Sequence, residues 1–248
     1  MHGPHLYPAW SIGAPRLTDI RVVLLDIEGT TTPIEFVHHV LFPYARARVR
    51  DFLQSHGSDE GVRADMELLR REYESERPRP ADLPSWDAEA FVYWLMDRDR
   101  KSTGLKSLQG KIWEAGYRAG ELKGKGEVYA DVRPALARWQ GAGKRIAIFS
   151  SGSVQAQRNL FANTTTGDLS AFLSGYFDTT TGPKREAISY QRIATELRCR
   201  PEDVLFVSDV AAELDAAREA GMRTALCARN APPETANGHP VIHTFAEL

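Results

Sequence analysis

From Lys144 onward the chain alternates between short apolar runs and amphipathic stretches, and this alternation restricts the fold more than any other feature. KRIAIFS (144–150), DVLFVS (203–208) and MRTALCA (222–228) read as strands. Between them, SVQAQRNLFAN (153–163), PKREAISYQRIATEL (183–197) and VAAELDAAREAG (210–221) carry apolar residues at helical spacing. Strands alternating with helices imply an α/β chain built on a doubly wound parallel sheet. The run Val22–Leu25 adds a strand near the start, with no polar alternation, as suits a strand covered on both faces.

Between Pro33 and about Lys125 the alternation disappears. Residues 34–53, 59–75, 86–99 and 107–122 all read as helices, punctuated by the Pro-rich RPRPADLP and the glycines of KGKGE. This stretch is too long for one crossover, so the economical reading is a helical cap domain inserted after the first core strand. The expected organisation is a flexible N-terminal extension over 1–19, an α/β core made of 20–32 and 126–248, and a helical cap over 33–125. The aromatic cluster Trp86, Phe91, Tyr93 and Trp94 reads as cap core.

A chain of 248 residues can bury a core of this kind. Its 31 basic and 33 acidic residues nearly balance, which gives no electrostatic reason to expect a nucleic acid or an anionic membrane as partner. Cys199 and Cys227 have no CxxC or histidine neighbour that would suggest zinc and read as reduced thiols. Met1 to Arg16, with His2 and His5, lacks the apolar core of a signal peptide, and no later segment is apolar enough to span a bilayer. A cytoplasmic protein is expected, and a monomer, because a cap that closes on its own core needs no partner.

Four signals for chemistry fall at strand ends in chain order. Asp26 to Thr31 reads DIEGTT directly after the first strand, where open parallel sheets place their chemistry, and Gly29 allows a tight turn. Ser150, Ser151, Gly152 and Ser153 follow the strand RIAIF at a helix start, which suits either an anion or an ordinary N-cap. Lys184 follows Gly182-Pro183, where a cation opposes the helix dipole and so points either to a nearby anion or to solvent. After DVLFV come Ser208 and Asp209, then Glu213, and a strand-tip Asp near the first carboxylate makes an oxygen-rich site suited to Mg²⁺.

Taken together, Asp26-Ile27-Glu28-Gly29-Thr30, Ser150, Lys184 and Ser208-Asp209 resemble the four motifs of the haloacid dehalogenase-like phosphatase superfamily, with the inserted helices in the position of its cap. That superfamily has D-x-D-G-T, whereas this chain has Glu in the third place. DIEGTTTPIEFVHHVLFPYA, FSSGSVQAQRNLF, GYFDTTTGPKREAISYQRIA and VLFVSDVAAELDAAREAGM are similar to the enolase-phosphatases of methionine salvage.

The resemblance implies a small phosphorylated diketone as substrate, enolised and then dephosphorylated. In this reading Asp26 is the nucleophile and Glu28 the general acid and base. Ser150, Ser151 and Lys184 bind the phosphoryl group. One Mg²⁺ is held by Asp26, the Glu28 backbone carbonyl and Asp209. Two other readings remain at this stage: a phosphatase of the same fold acting on another small ester, and a receiver-like module that holds an aspartyl-phosphate without turnover.

Overall fold

The computed structural model describes residues 17–78, 80–100, 102–229 and 236–248. Most of the N-terminal extension, with His2 and His5, lies outside the described residues, as does part of the PPETANGHP segment. Leu17–Asp19 form a 3-10 turn whose Leu17 carbonyl, with that of Ile20, accepts from the Lys144 ammonium at 2.5 and 2.8 Å.

Two compact units divide the chain: 1–31, 129–149 and 172–248 in the first, and 32–128 with 150–171 in the second. The first unit holds a six-stranded sheet. In chain order its strands are β1 (Val22–Leu25), β2 (Arg145–Phe149), β3 (Gly175–Phe177), β4 (Val204–Ser208), β5 (Arg223–Cys227) and β6 (Val241–Ile242). All neighbours are parallel, in the order β3-β2-β1-β4-β5-β6, which puts β1 beside both β2 and β4. The four residues of β1 are 0 % exposed. Burying each such side chain contributes roughly 2 kcal/mol, so this strand anchors the sheet.

Helices cover the sheet as the alternation predicts. Among the described residues the helices, in order, are α1 (Ile34–Phe36), α2 (Phe42–His56), α3 (Glu60–Ser75), α4 (Ala88–Asp97), α5 (Thr103–Arg118), α6 (Val132–Gly141), α7 (Val154–Ala162), α8 (Ala187–Glu196) and α9 (Ala211–Glu219). Tyr190, Ile193 and Ala194 of α8 and Leu214 and Ala217 of α9 pack on Val22, Leu24, Ala147, Phe149 and Phe206. α6 packs against β2, and its Trp139 ring lies 5.4 Å from that of Phe245 in the C-terminal turn.

α8 is shorter than its predicted span. Pro183 to Glu186 form a turn ahead of it, held by hydrogen bonds from Ser189 Oγ to the Pro183 carbonyl at 2.7 Å and from Tyr190 Oη to the Lys184 carbonyl at 2.7 Å. Lys184 therefore precedes the helix rather than opening it.

The second unit is helical, with a core of Val49, Leu69, Tyr73, Phe91, Leu108 and Ile112. Trp86, Tyr93 and Trp94 pack against that core, as expected of the aromatic cluster. α5 begins a turn earlier than its pattern suggests, because Ser102 accepts from the Leu105 amide at 3.0 Å as an N-cap. The first predicted helix is interrupted: Val37–Leu41 form a π-helical turn between α1 and α2. Among the described residues no helix is long and apolar enough to cross a membrane.

Candidate active site

Asp26 is the first residue past β1, and its amide extends the ladder by donating to the Val207 carbonyl at 3.0 Å. The backbone then turns: the amides of Thr30 and Thr31 return to the Ile27 carbonyl at 3.2 and 2.9 Å. Thr31 Oγ1 adds hydrogen bonds to the Asp26 and Ile27 carbonyls at 3.1 and 3.2 Å. With the carboxylate of a residue already pinned to the sheet, little freedom is left to its side chain.

Both carboxylate oxygens of Asp26 have partners. Oδ1 accepts from its neighbour's amide, Ile27 N, at 2.7 Å and lies 2.7 Å from Lys184 Nζ. Oδ2 lies 3.0 Å from Ser208 Oγ at the end of β4. Lys184 is shared, since its Nζ also lies 2.6 Å from Glu213 Oε2, and Ser208 Oγ is 3.3 Å from that same oxygen. The Lys184, Asp26 and Glu213 side chains are only 10, 7 and 12 % exposed, so these ion pairs act at low dielectric. Burial opposes the charge on Lys184, but attraction to Asp26 and Glu213 outweighs it and holds the ammonium above the usual lysine range.

Asp209 follows β4 directly. Gly29 makes room for it: a Cβ built on Gly29 would sit 2.1 Å from Asp209 Oδ2, and Gly29 has φ +69°. Gly29→Ala is expected to lower stability by about 2 kcal/mol through the left-handed backbone alone, with more from displacing Asp209. Denaturant unfolding checks this, and a loss of no more than about 2 kcal/mol would show that the approach of Asp209 adds nothing to the backbone strain.

The carboxylates crowd one another. Burial pushes the Asp209 carboxyl up to about 6, with the Asp26 charge adding to the rise and exposed Glu28 contributing less. Glu213 is pushed up to about 7, again by burial first and Asp26 second, against the attraction of Lys184. Two largely buried acids, Asp26 and Glu213, thus pair with one buried lysine while the more exposed Asp209 feels the same charges, an excess of negative charge that favours a further cation. No three His, Cys, Asp or Glu side chains among the described residues are grouped as a metal cage. Two carboxylates and a backbone carbonyl nevertheless match the donors that Mg²⁺ takes, with water and substrate phosphate completing its shell.

Ser150 and Ser151 belong to the second unit and follow β2 without a break. Ser150 is buried, and its Oγ accepts from the Gly152 amide at 3.3 Å; Ser151 is exposed. The capping role falls to Ser153, whose Oγ accepts from the Ala156 amide at 3.2 Å. Neither Ser150 nor Ser151 is thus needed as the cap of α7.

Glu213 stands four residues after Asp209, and no local sequence pattern gives it a role. Its position in the first turn of α9 brings it to Lys184, a pairing that spans 29 positions and leaves no local pattern to read.

Asp26, Lys184 and Asp209 come in chain order after β1, β3 and β4 of the parallel sheet, and the family model described as a haloacid dehalogenase-like hydrolase matches residues 20–221. The chain is 57 % identical over 242 residues to enolase-phosphatase E1 of Synechococcus elongatus, a match that spans 94 % of this chain and 100 % of that protein. It is 48 % identical over 227 residues to enolase-phosphatase E1 of Sorangium cellulosum, covering 92 % and 94 % of the two chains. The solved structure of the UTR4 protein of Saccharomyces cerevisiae superposes with a TM-score of 0.71 at 35 % identity, over 92 % of this chain and 100 % of that one. The chain belongs to the enolase-phosphatase E1 family of haloacid dehalogenase-like hydrolases.

Proposed function

We propose that the chain converts 2,3-diketo-5-methylthiopentyl 1-phosphate through its enol to 1,2-dihydroxy-3-keto-5-methylthiopentene and phosphate, as a cytoplasmic monomer. Asp26 attacks phosphorus in line and forms an aspartyl-phosphate, which water then hydrolyses. The strongest support is the setting of Asp26: a carboxylate at the tip of a central strand, held on one oxygen by Lys184 and approached on the other by Ser208.

Lys184 offsets charge on the reacting oxygens as Asp26 meets a phosphate dianion. Glu28, exposed beside the nucleophile, protonates the leaving oxygen and then takes a proton from the attacking water. Ser150, Ser151 and the Gly152 amide hold the phosphoryl oxygens. The Asp26 and Asp209 carboxylates and the Glu28 backbone carbonyl would hold one Mg²⁺, which when bound would neutralise developing negative charge in both steps.

Incubating the protein and Mg²⁺ with the diketo phosphate, while following the enol chromophore and phosphate together, tests the whole reading. The expected trace shows enol preceding phosphate, whereas phosphate with no prior enol would leave a phosphatase alone. Glu28→Gln is expected to slow phosphate release about 10²–10⁴-fold with Mg²⁺ still bound. Unchanged turnover in that variant would remove its acid and base role.

A further inference from the structure

Thr30 and Thr31, the last residues of the DIEGTT turn, are fully buried, so their carbonyls must find donors inside the protein. The Thr31 carbonyl accepts from the Tyr129 amide at 3.0 Å. The Thr30 carbonyl takes two hydrogen bonds from one side chain, Arg229 Nε at 3.0 Å and Nη2 at 2.7 Å. Arg229 comes just after β5, 199 positions further along the chain.

The guanidinium is itself firmly placed. Its side chain is 6 % exposed, and Nη1 lies 2.6 Å from Asp131 Oδ2. The Tyr129 and Phe245 rings each lie 4.4 Å from its Cζ. Asp131 is fixed in turn by the Phe245 amide, which donates to the same Oδ2 at 2.5 Å. A buried guanidinium is costly unless its donors are used, and here they are used on the loop that carries Asp26.

We propose that Arg229, oriented by Asp131, is a positioning residue that holds the Thr30 carbonyl and thereby sets the backbone angle at which Asp26 meets phosphorus. A planar fork delivers two parallel donors to one carbonyl, which an ammonium cannot do from a fixed stem. The inference rests on Asp26 as nucleophile for its catalytic consequence only; the clamp on the loop stands without it.

The test uses Arg229→Lys, which keeps the charge opposite Asp131, and Asp131→Asn, which keeps an acceptor for the Phe245 amide. The expected result in both is a fall in kcat of about 10–100-fold, with KM within about threefold and the fall not explained by the folded fraction. Hydrogen exchange in the metal-free protein should quicken in the peptide covering 26–31 and stay unchanged over β1 and β4. A kcat that is unaltered or falls only with folded fraction would overturn the proposal, as would exchange that is unaltered or quickens across the whole sheet. Were Asp26→Asn to remain active, the nucleophile assignment would fail while the exchange measurement still decided the clamp.

Discussion

Asp26→Asn is expected to abolish phosphate release, with turnover at least about 10⁴-fold below that of the parent protein. An amide oxygen is a poor nucleophile toward phosphorus, and no aspartyl-phosphate can form without the carboxylate. The fold should survive, because the Asn side-chain oxygen can still accept from the Ile27 amide and Lys184 keeps its contact with Glu213. Phosphate release per folded molecule is the measurement. Substantial residual turnover would show that another group attacks, and a stable phosphoprotein in the parent would indicate a receiver-like module in place of a hydrolase.

Lys184→Met is expected to damage both rate and stability. Lys184 pairs with two buried carboxylates, at 2.7 and 2.6 Å, and methionine of similar length leaves both without their cation. Removing one partner from a buried charged set costs about 3–5 kcal/mol, so the metal-free variant should unfold at clearly lower denaturant. Phosphate release should fall on the order of 10²–10³-fold, as when one charge-stabilising donor is lost from a transition state. Mg²⁺ binds only the folded protein in this scheme and should recover part of the lost stability. A stability loss under about 1 kcal/mol would mean that the pairs roughly cancel their own desolvation.

These two residues differ in how legible they are. Asp26 can be read from its neighbours, since an apolar run followed by D-x-E-G-T announces a strand end and a turn within six positions. Lys184 could be singled out only by its awkward place near a helix start, and the structure moves it into the turn before α8, where Tyr190 holds its carbonyl. Its partnership with Glu213 was not legible at all. Nothing in local periodicity states which of several acids a lysine meets when the sheet closes.

The same limit applies to the architecture. The long strands and helices, the parallel sheet and the inserted helical stretch were apparent because each shows its own period. β3 and β6, at three and two residues, are too short to show one and exist through their pairing with β2 and β5. The π-helical turn at Val37–Leu41 lies within a continuous helical pattern, which specifies an apolar face but not the hydrogen-bond spacing that reaches it.

By itself the sequence determined the types and order of the longer elements and the succession of Asp26, Lys184 and Asp209 along the chain, because strand and helix periods and turn residues are local properties. Only the tertiary structure decided that Glu213 shares Lys184, that Gly29 lets Asp209 approach, and that Arg229 supports the turn from 199 positions away. Those contacts depend on which buried polar groups remain to be satisfied once the sheet has formed, and that is known only after the chain has closed on itself.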